Sequence, residues 1–315
     1  MKHKKICFYL IFFIFFLNNY SLFCQQKSSS EKNVKYKNIG YPGMNSMKVD
    51  ILRTYYLSER AQKWLYNVLE EGQQYRIYIR NQLEKRKMPA ILEYLPLVES
   101  EYNPNAKSSS GAIGLWQFMT NSVKGLLEYN EYVDQRYDPW KSTDAALTKL
   151  NDNYKTFGDW LLAITAYNCG AGALSRAINK AGSRDFWYLS QNGYLSEQAA
   201  GYVPKLLAIA DVVENDRYYG VSFPHAKAWN GTTLETRAGM FDYVTVKQSV
   251  PLKKLAYELR IDEETFLSLN SALIKQVTPP DRKYSIRFPE GMKESAEYAL
   301  HEMGFFTIKS HLKNR

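Results

Sequence analysis

Cysteine is scarce in this chain, three residues in 315, and two of them, Cys7 and Cys24, sit close to the N-terminus. Only Cys169 falls in the body of the sequence, so no internal disulfide can staple it. Histidine is almost as rare. His3, His225, His301 and His311 are scattered, without ligand-like spacing to acids or cysteine, which argues against a bound metal. Gly111 and Gly114 have neither a preceding strand nor a following Lys-Ser/Thr pair, so a phosphate-cradling loop is not supported and no cofactor is expected. No apolar run reaches the roughly 20 residues that a membrane-spanning helix needs. Strand-like alternation is nearly absent between Ile91 and Asn215, and no basic stripe interleaved with aromatics suggests a nucleic-acid groove.

What is present begins at the N-terminus. Lys2, Lys4 and Lys5 precede an apolar run from Ile6 to Leu17, closed by Asn18, Asn19 and Tyr20, the pattern of an export signal over residues 1–24. Without those three lysines the formal charge of +9 falls to +6, a modest excess suited to an anionic polymer or surface. Cys24 closes Ser21-Leu22-Phe23-Cys24 and is a candidate for lipidation, which would tether the chain to a membrane without a spanning helix; ordinary signal cleavage nearby is the alternative. The expected location is the periplasm or cell envelope. Residues 25–50, with Ser28-Ser29-Ser30, Gly40, Pro42 and Gly43, read as a flexible tether.

From Ser58 onward Ala61, Trp64, Leu65 and Val68 recur at helical spacing, and Tyr75, Tyr78 and Ile79 extend the stripe toward Leu83, predicting one long amphipathic helix that stops before Pro89. An apolar run from Ile91 to Val98, a Ser-capped segment from Ser142 to Leu150 and the run Trp160 to Tyr167 add further helices. The fold class is mainly α, with an all-α domain over 51–220 and a linker over 221–240. A small α+β module follows over 241–290 in βααβ order: a strand at Tyr243 to Val246, helices at 252–259 and 263–269, and a strand at Tyr284 to Phe288. Residues 291–315 form a last helix and tail, the helix over 292–303.

Glu99 ends the apolar run Leu95-Pro96-Leu97-Val98, where poor solvation of the carboxylate would raise its pKa and keep it protonated near neutrality. A glycosidic oxygen needs such a proton donor, because a sugar alkoxide leaves poorly. Alone, a Glu at a helix end is more often solvated or capping. Trp116, Trp140, Trp160 and Trp187 are similarly ambiguous, sugar platforms or, more often, core.

The order of the surrounding segments narrows the choice. Glu99-Ser100 with Asn103-Pro104, then Ser110-Gly111-Ala112 and Gly114-Leu115-Trp116-Gln117-Phe118, then Ala166-Tyr167-Asn168 with Gly170, then Tyr202-Val203-Pro204-Lys205, resembles the lytic transglycosylases of the goose-type lysozyme-like (SLT) superfamily. Gly158-Asp159-Trp160-Leu161 and Asp185-Phe186-Trp187 bring the resemblance nearest to the membrane-bound lytic murein transglycosylase D group, over about residues 57–222. It implies a lysozyme-like domain acting on peptidoglycan glycan strands, with Glu99 as the catalytic acid and then base, and Ser100, Gln117, Tyr167, Asn168 and Tyr202 binding substrate or, for Tyr202, orienting the carboxyl. Cys169 departs from the Ser that relatives often carry there and reads as a small buried filler.

Ordinary glycosidases place two carboxyls across the bond, about 5–9.5 Å apart. No second motif-borne acid is evident: Glu101 is expected to point elsewhere on the helix, and Asp138, Asp144 and Asp159 suit turns and caps. A single acid fits the route the resemblance implies, in which the N-acetylmuramic 6-hydroxyl closes a 1,6-anhydro ring. A lysozyme-type hydrolase and a silent glycan-binding scaffold are the competing readings. Residues 241–290 resemble a diverged lysin-motif (LysM) module, with Leu269-Asn270 in place but Lys247-Gln248-Ser249-Val250-Pro251 replacing the usual turn. Glycan binding and a purely structural role both remain open for it.

Overall fold

Short polar side chains cap the start of many of the helices. Ser46, Asp138, Asp159, Asp185, Ser196 and Asp262 each accept a backbone N–H of the first helical turn, satisfying donors that no intrahelical carbonyl can reach. The computed structural model describes residues 34–226 and 241–307. Cys24, the export signal, residues 25–33 of the tether, 227–240 of the linker and the last residues of the tail lie outside the described residues. Among those described, no helix is long and apolar enough to cross a membrane.

In chain order the helices are α1 (Met47–Tyr56), α2 (Glu59–Glu71), α3 (Gln73–Lys85), a 3-10 turn (Ala90–Tyr94), α4 (Leu95–Ser100), α5 (Pro139–Phe157), α6 (Trp160–Cys169), α7 (Ala171–Ala181), α8 (Phe186–Gln191) and α9 (Glu197–Glu214). Helix α6 lies at the centre, with Leu161 to Ala166 buried all round, and α9 buries nearly every residue from Ala199 to Val213. One apolar core joins these two to α1, α2 and the segment from Ile91 to Leu97. Trp116 is fully buried and Trp140 nearly so, whereas Trp160 and Trp187 are half-buried.

The long helix expected from Ser58 is two, divided at Gly72. A Cβ there would lie 2.5 Å from the Tyr102 ring, so the packing of that tyrosine accounts for a glycine the periodicity ignores. The segment expected to begin with a Ser cap at Ser142 starts at Pro139, capped by Asp138, and Ser142 donates back to the Asp138 carbonyl from within the helix.

Of the flexible tether expected over 25–50, the stretch from Tyr36 onward is held against the domain. Tyr36 Oη donates to Asp211 at 2.8 Å, Trp187 Nε1 donates to the Pro42 carbonyl at 3.1 Å, and α1 already begins at Met47. The linker is likewise anchored at its start, where Phe223 is buried and the Pro224 carbonyl accepts from Arg76.

The C-terminal module has the expected order: β1 (Phe241–Val246), α10 (Leu252–Leu259), α11 (Glu263–Leu269) and β2 (Tyr284–Pro289), with the strands paired antiparallel from Phe241 opposite Pro289 to Val246 opposite Tyr284. The last helix, α12 (Lys293–Glu302), packs Ala296, Ala299 and Leu300 into the same core as Val244, Phe266 and Phe288, so it completes the module instead of trailing from it.

Behind α4 lies a buried ion cluster. Arg76 and Glu93, both fully buried, pair at 2.9 Å; Arg80 pairs with Glu93 and with Glu214, and Tyr94 Oη donates to Glu214 at 2.7 Å. Burial alone would raise the pKa of Glu214, but Arg80, Tyr94 and Lys37 more than reverse that and hold it low.

Gly72→Ala separates local propensity from packing. Helix propensity alone favours alanine by about 1 kcal/mol. The contact with Tyr102 instead predicts destabilisation of about 1–3 kcal/mol in urea or thermal unfolding. A neutral or stabilised variant would show that the ring gives way.

Candidate active site

Helix α4 is short and ends abruptly. Glu101 and Tyr102 both take left-handed backbone, with φ of 55° and 57°, and their N–H groups close onto the Leu97 and Pro96 carbonyls. Two non-glycine residues in that region cost about 1–2 kcal/mol each, so something must hold them. Tyr102 is buried against Gly72 and its Oη donates to the Glu93 carbonyl at 2.9 Å; Trp64 Nε1 donates to Glu101 Oε2 at 3.0 Å.

This turn presents residues 97–104 to a cleft of about 620 Å³ whose other walls are Trp64, Val68, Glu71, Tyr75 and Lys205. The cleft brings Glu99 and Ser100 together. It also contains Glu101, contrary to the expectation that this acid points elsewhere: the helix has ended one residue earlier, so helical spacing no longer governs its direction. Trp64, Glu71, Tyr75 and Lys205 were not singled out from the sequence as cleft residues. Trp64 and Tyr75 belong to the helical stripe that reads as core, and Lys205 follows the Tyr-Val-Pro segment.

Glu99 is half-buried, and burial pushes its pKa from 4.5 up to about 7. Tyr202 Oη donates to Glu99 Oε1 at 2.5 Å, and this bond and the Lys205 charge each draw the pKa back down. Tyr202 is buried on α9, where burial and then the Glu99 carboxylate raise its own pKa well above 10, so it stays a donor.

Ser100, Tyr167 and Gln117 bond to the loop over 106–118. Ser100 Oγ donates to the Leu115 carbonyl at 2.8 Å, with the Pro96 carbonyl at 3.2 Å. Tyr167 Oη donates to the Trp116 carbonyl at 2.8 Å. Gln117, at φ 47°, spends its amide N–H on the Gly114 and Ala106 carbonyls at 2.9 and 3.3 Å, which closes its own turn. Gly114 is required there, because a Cβ would meet the Arg136 carbonyl at 1.9 Å. Gln117, Tyr167 and Asn168 do not line the cleft itself, although the Glu99 charge reaches Tyr167 and contributes to its raised pKa after burial.

Lys149, which no motif in the sequence marks, has its Nζ 5.7 Å from the ring centres of both Phe118 and Tyr167, and burial lowers its pKa. Cys169 is half-buried with a free thiol, not the enclosed filler expected. Among the described residues no group of three or more His, Cys, Asp or Glu is placed to hold a metal ion.

The raised Glu99 pKa has a stability consequence. The folded state holds this proton more tightly than the unfolded chain, so the site is unpenalised below about pH 4.5 and loses stability as pH rises through about 7. Glu99→Gln is therefore expected to stabilise the fold by about 3 kcal/mol at pH 8, with the gain vanishing at pH 4, as read by chemical denaturation. A gain independent of pH would contradict the shift.

Residues 76–190 match the family model for the transglycosylase SLT domain, and residues 240–304 match that for the lytic transglycosylase MltD, LysM-like domain. The chain is 40% identical over 186 residues to membrane-bound lytic murein transglycosylase D of Escherichia coli (strain K12), covering 57% of this chain and 38% of that protein. It is 38% identical over 128 residues to the putative tributyltin chloride resistance protein of Alteromonas sp. (strain M-1), covering 40% of this chain and 56% of that one. Against the 70-kDa soluble lytic transglycosylase solved in complex with bulgecin A, the TM-score is 0.42 at 19% identity, covering 64% of this chain and 39% of that one. The chain thus spans about two-fifths of the length of the first of these relatives. An SLT domain followed by an MltD-type LysM-like domain is the pairing that this chain shares with the lytic murein transglycosylase D it resembles.

Proposed function

We propose that this chain cleaves the β-1,4 bond between N-acetylmuramic acid and N-acetylglucosamine in peptidoglycan, releasing a 1,6-anhydro-muramic end, in the turnover of the cell wall. The observation that carries the reading is Glu99: a half-buried carboxyl with its pKa raised to about 7, held by Tyr202 and open to a cleft of about 620 Å³. Near neutrality such a group is present in both protonation states, which an acid that later serves as base requires.

The chemistry follows from that carboxyl. Protonated Glu99 gives its proton to the glycosidic oxygen as the bond from the muramic C1 breaks and the leaving sugar departs as an alcohol. The Glu99 carboxylate then takes the proton of the same muramic residue's 6-hydroxyl, whose oxygen bonds to C1. The proton returns to Glu99 and no water is consumed. Because the nucleophile is tethered to the electrophile, its effective concentration is high and no second carboxylate is needed to activate water. Trp64 and Tyr75 supply aromatic walls for sugar rings.

Glu101 in the same cleft supports a second reading, hydrolysis by a water that this acid positions. We favour the transfer route because Glu101 is already engaged by Trp64 and extends from the same short turn as Glu99. Glycosidase acid pairs, by contrast, flank the bond. The export signal and the lipidation candidate Cys24 fit an enzyme working in the cell envelope on an extracytoplasmic polymer.

Digestion of purified sacculi followed by mass spectrometry tests both parts. The proposal predicts muropeptide ends lighter by one water than hydrolytic ends, and no cleavage by Glu99→Gln. Reducing ends of full mass would establish hydrolysis, and retained cleavage by Glu99→Gln would overturn the assignment. Activity is expected to fall as pH rises past about 7, where Glu99 loses its proton. Tyr202→Phe removes a bond that favours the charged form and so should shift this alkaline limb upward, with a lower maximal rate. A downward shift would contradict the proposed role of Tyr202.

A further inference from the structure

The C-terminal module meets the catalytic domain through a buried joint. Val133, on the loop before α5, is fully buried within the module's own core and pairs with Leu273 as an antiparallel bridge. Asp134 N–H donates to the Ala272 carbonyl at 2.8 Å, and Ile274 N–H donates to the Tyr132 carbonyl at 3.1 Å. Ser271 Oγ donates to the Tyr137 carbonyl at 2.8 Å. At the centre Arg287, from β2, pairs with Asp138 at 2.9 Å with both side chains about 5% exposed, and its guanidinium lies 4.6 Å from the Trp140 ring centre and 5.0 Å from that of Phe241. Two exposed pairs, Lys275 with Glu131 and Arg282 with Glu128, sit at the rim.

A module that swings as an independent arm would be joined by a polar, solvated surface. This joint instead completes an apolar core with a residue of the other domain and desolvates an ion pair, so separating the two parts would expose Val133 and the module's apolar core to water and break the pair.

The loop that the module grips leads directly to the active site. Asp134, whose backbone the module holds, accepts from Arg136 Nε and Nη2 at 2.9 and 2.7 Å. Arg136 Nη1 reaches the Phe118 carbonyl at 3.3 Å and Thr120 Oγ1 at 3.0 Å, and the Arg136 backbone carbonyl fills the space beside Gly114. Gly114 to Phe118 is the stretch whose carbonyls fix Ser100 and Tyr167. We propose that the C-terminal module is a positioning part of the catalytic site: through the Arg287–Asp138 joint and Arg136 it sets the loop 106–118 that anchors Ser100 and Tyr167 around Glu99. Its catalytic consequence rests on the function proposed above, whereas its structural consequence does not.

The test compares the full chain with Arg287→Met, Arg287→Met/Asp138→Asn and the rim variant Arg282→Ala, well below their unfolding temperatures. Amide hydrogen exchange and steady-state cleavage of soluble peptidoglycan strands are both followed. The double variant keeps a capping side chain at position 138 and leaves no unpaired buried charge, so it reports on the joint if the single variant folds poorly. The expected result is faster exchange confined to 106–118 and 128–138, including the Gly114 and Phe118 amides. It is accompanied by a kcat lower by about tenfold, the scale of a small misplacement of catalytic groups. KM should stay within about twofold, since only transition-state alignment is lost. Arg282→Ala should change neither. Wild-type exchange over 106–118 with unchanged kcat, or a loosening spread evenly over the whole chain, would overturn the proposal. If the unaltered protein releases no glycan fragments, the proposed function fails while the exchange comparison still decides the role of the module.

Discussion

The buried pair between Arg76 and Glu93 is the constraint on which the site depends. A guanidinium and a carboxylate with no solvent exposure can be accommodated only if both are paired and their remaining groups hydrogen-bonded. The protein meets most of that demand by gathering several segments around them, leaving Arg76 Nη2 as the one buried nitrogen of the pair without a hydrogen-bond partner. Arg76 bonds to the Leu69 and Pro224 carbonyls, Arg80 bridges Glu93 to Glu214, and Tyr94 adds a bond to Glu214. The 3-10 turn that carries Glu93 runs straight into α4, so the arrangement that neutralises Glu93 also fixes where Glu99 emerges. Removing either member of the pair would leave a charge where water does not reach.

From that anchor the left-handed turn at Glu101 and Tyr102 follows. Tyr102 reaches back to the Glu93 carbonyl and lies on Gly72, and these contacts hold backbone that would otherwise relax into a longer helix. Ending α4 at Ser100 leaves Glu99 on the last turn, half-buried but open to the cleft, while Tyr202 meets it from α9. Burial and the tyrosine act in opposite senses on the carboxyl. Their balance, with Lys205 on the side of the tyrosine, leaves a proton affinity near neutrality.

Much of this was legible in the sequence. The apolar run before Glu99, the order of the motif segments and the βααβ module all appear where expected, because each rests on local periodicity or on contiguous residues. What was not legible depends on distant packing. The break at Gly72 answers to Tyr102, and the placement of Glu101 in the cleft answers to a helix end that Tyr102 and Trp64 enforce. The ordering of residues 34–50 comes from hydrogen bonds to Asp211, Asn215 and Trp187, well over a hundred residues away. Trp64 and Tyr75 read as core because they share the stripe that faces it, and only the assembled cleft separates those roles. The joint at Arg287 was invisible for a further reason. It pairs β2 with the cap of α5, and Asp138 reads from the sequence as an ordinary N-cap, a role it also fills.

The proposed chemistry depends on the proton held by Glu99. A direct titration of its carboxyl by carbon-13 NMR, with Tyr202 intact and no substrate present, measures that proton without reference to turnover. The structure predicts a midpoint at about 7. A midpoint at 4.5, the value of an unperturbed glutamate, would contradict the account, because Glu99 would then be a solvated carboxylate with no proton to give at neutral pH.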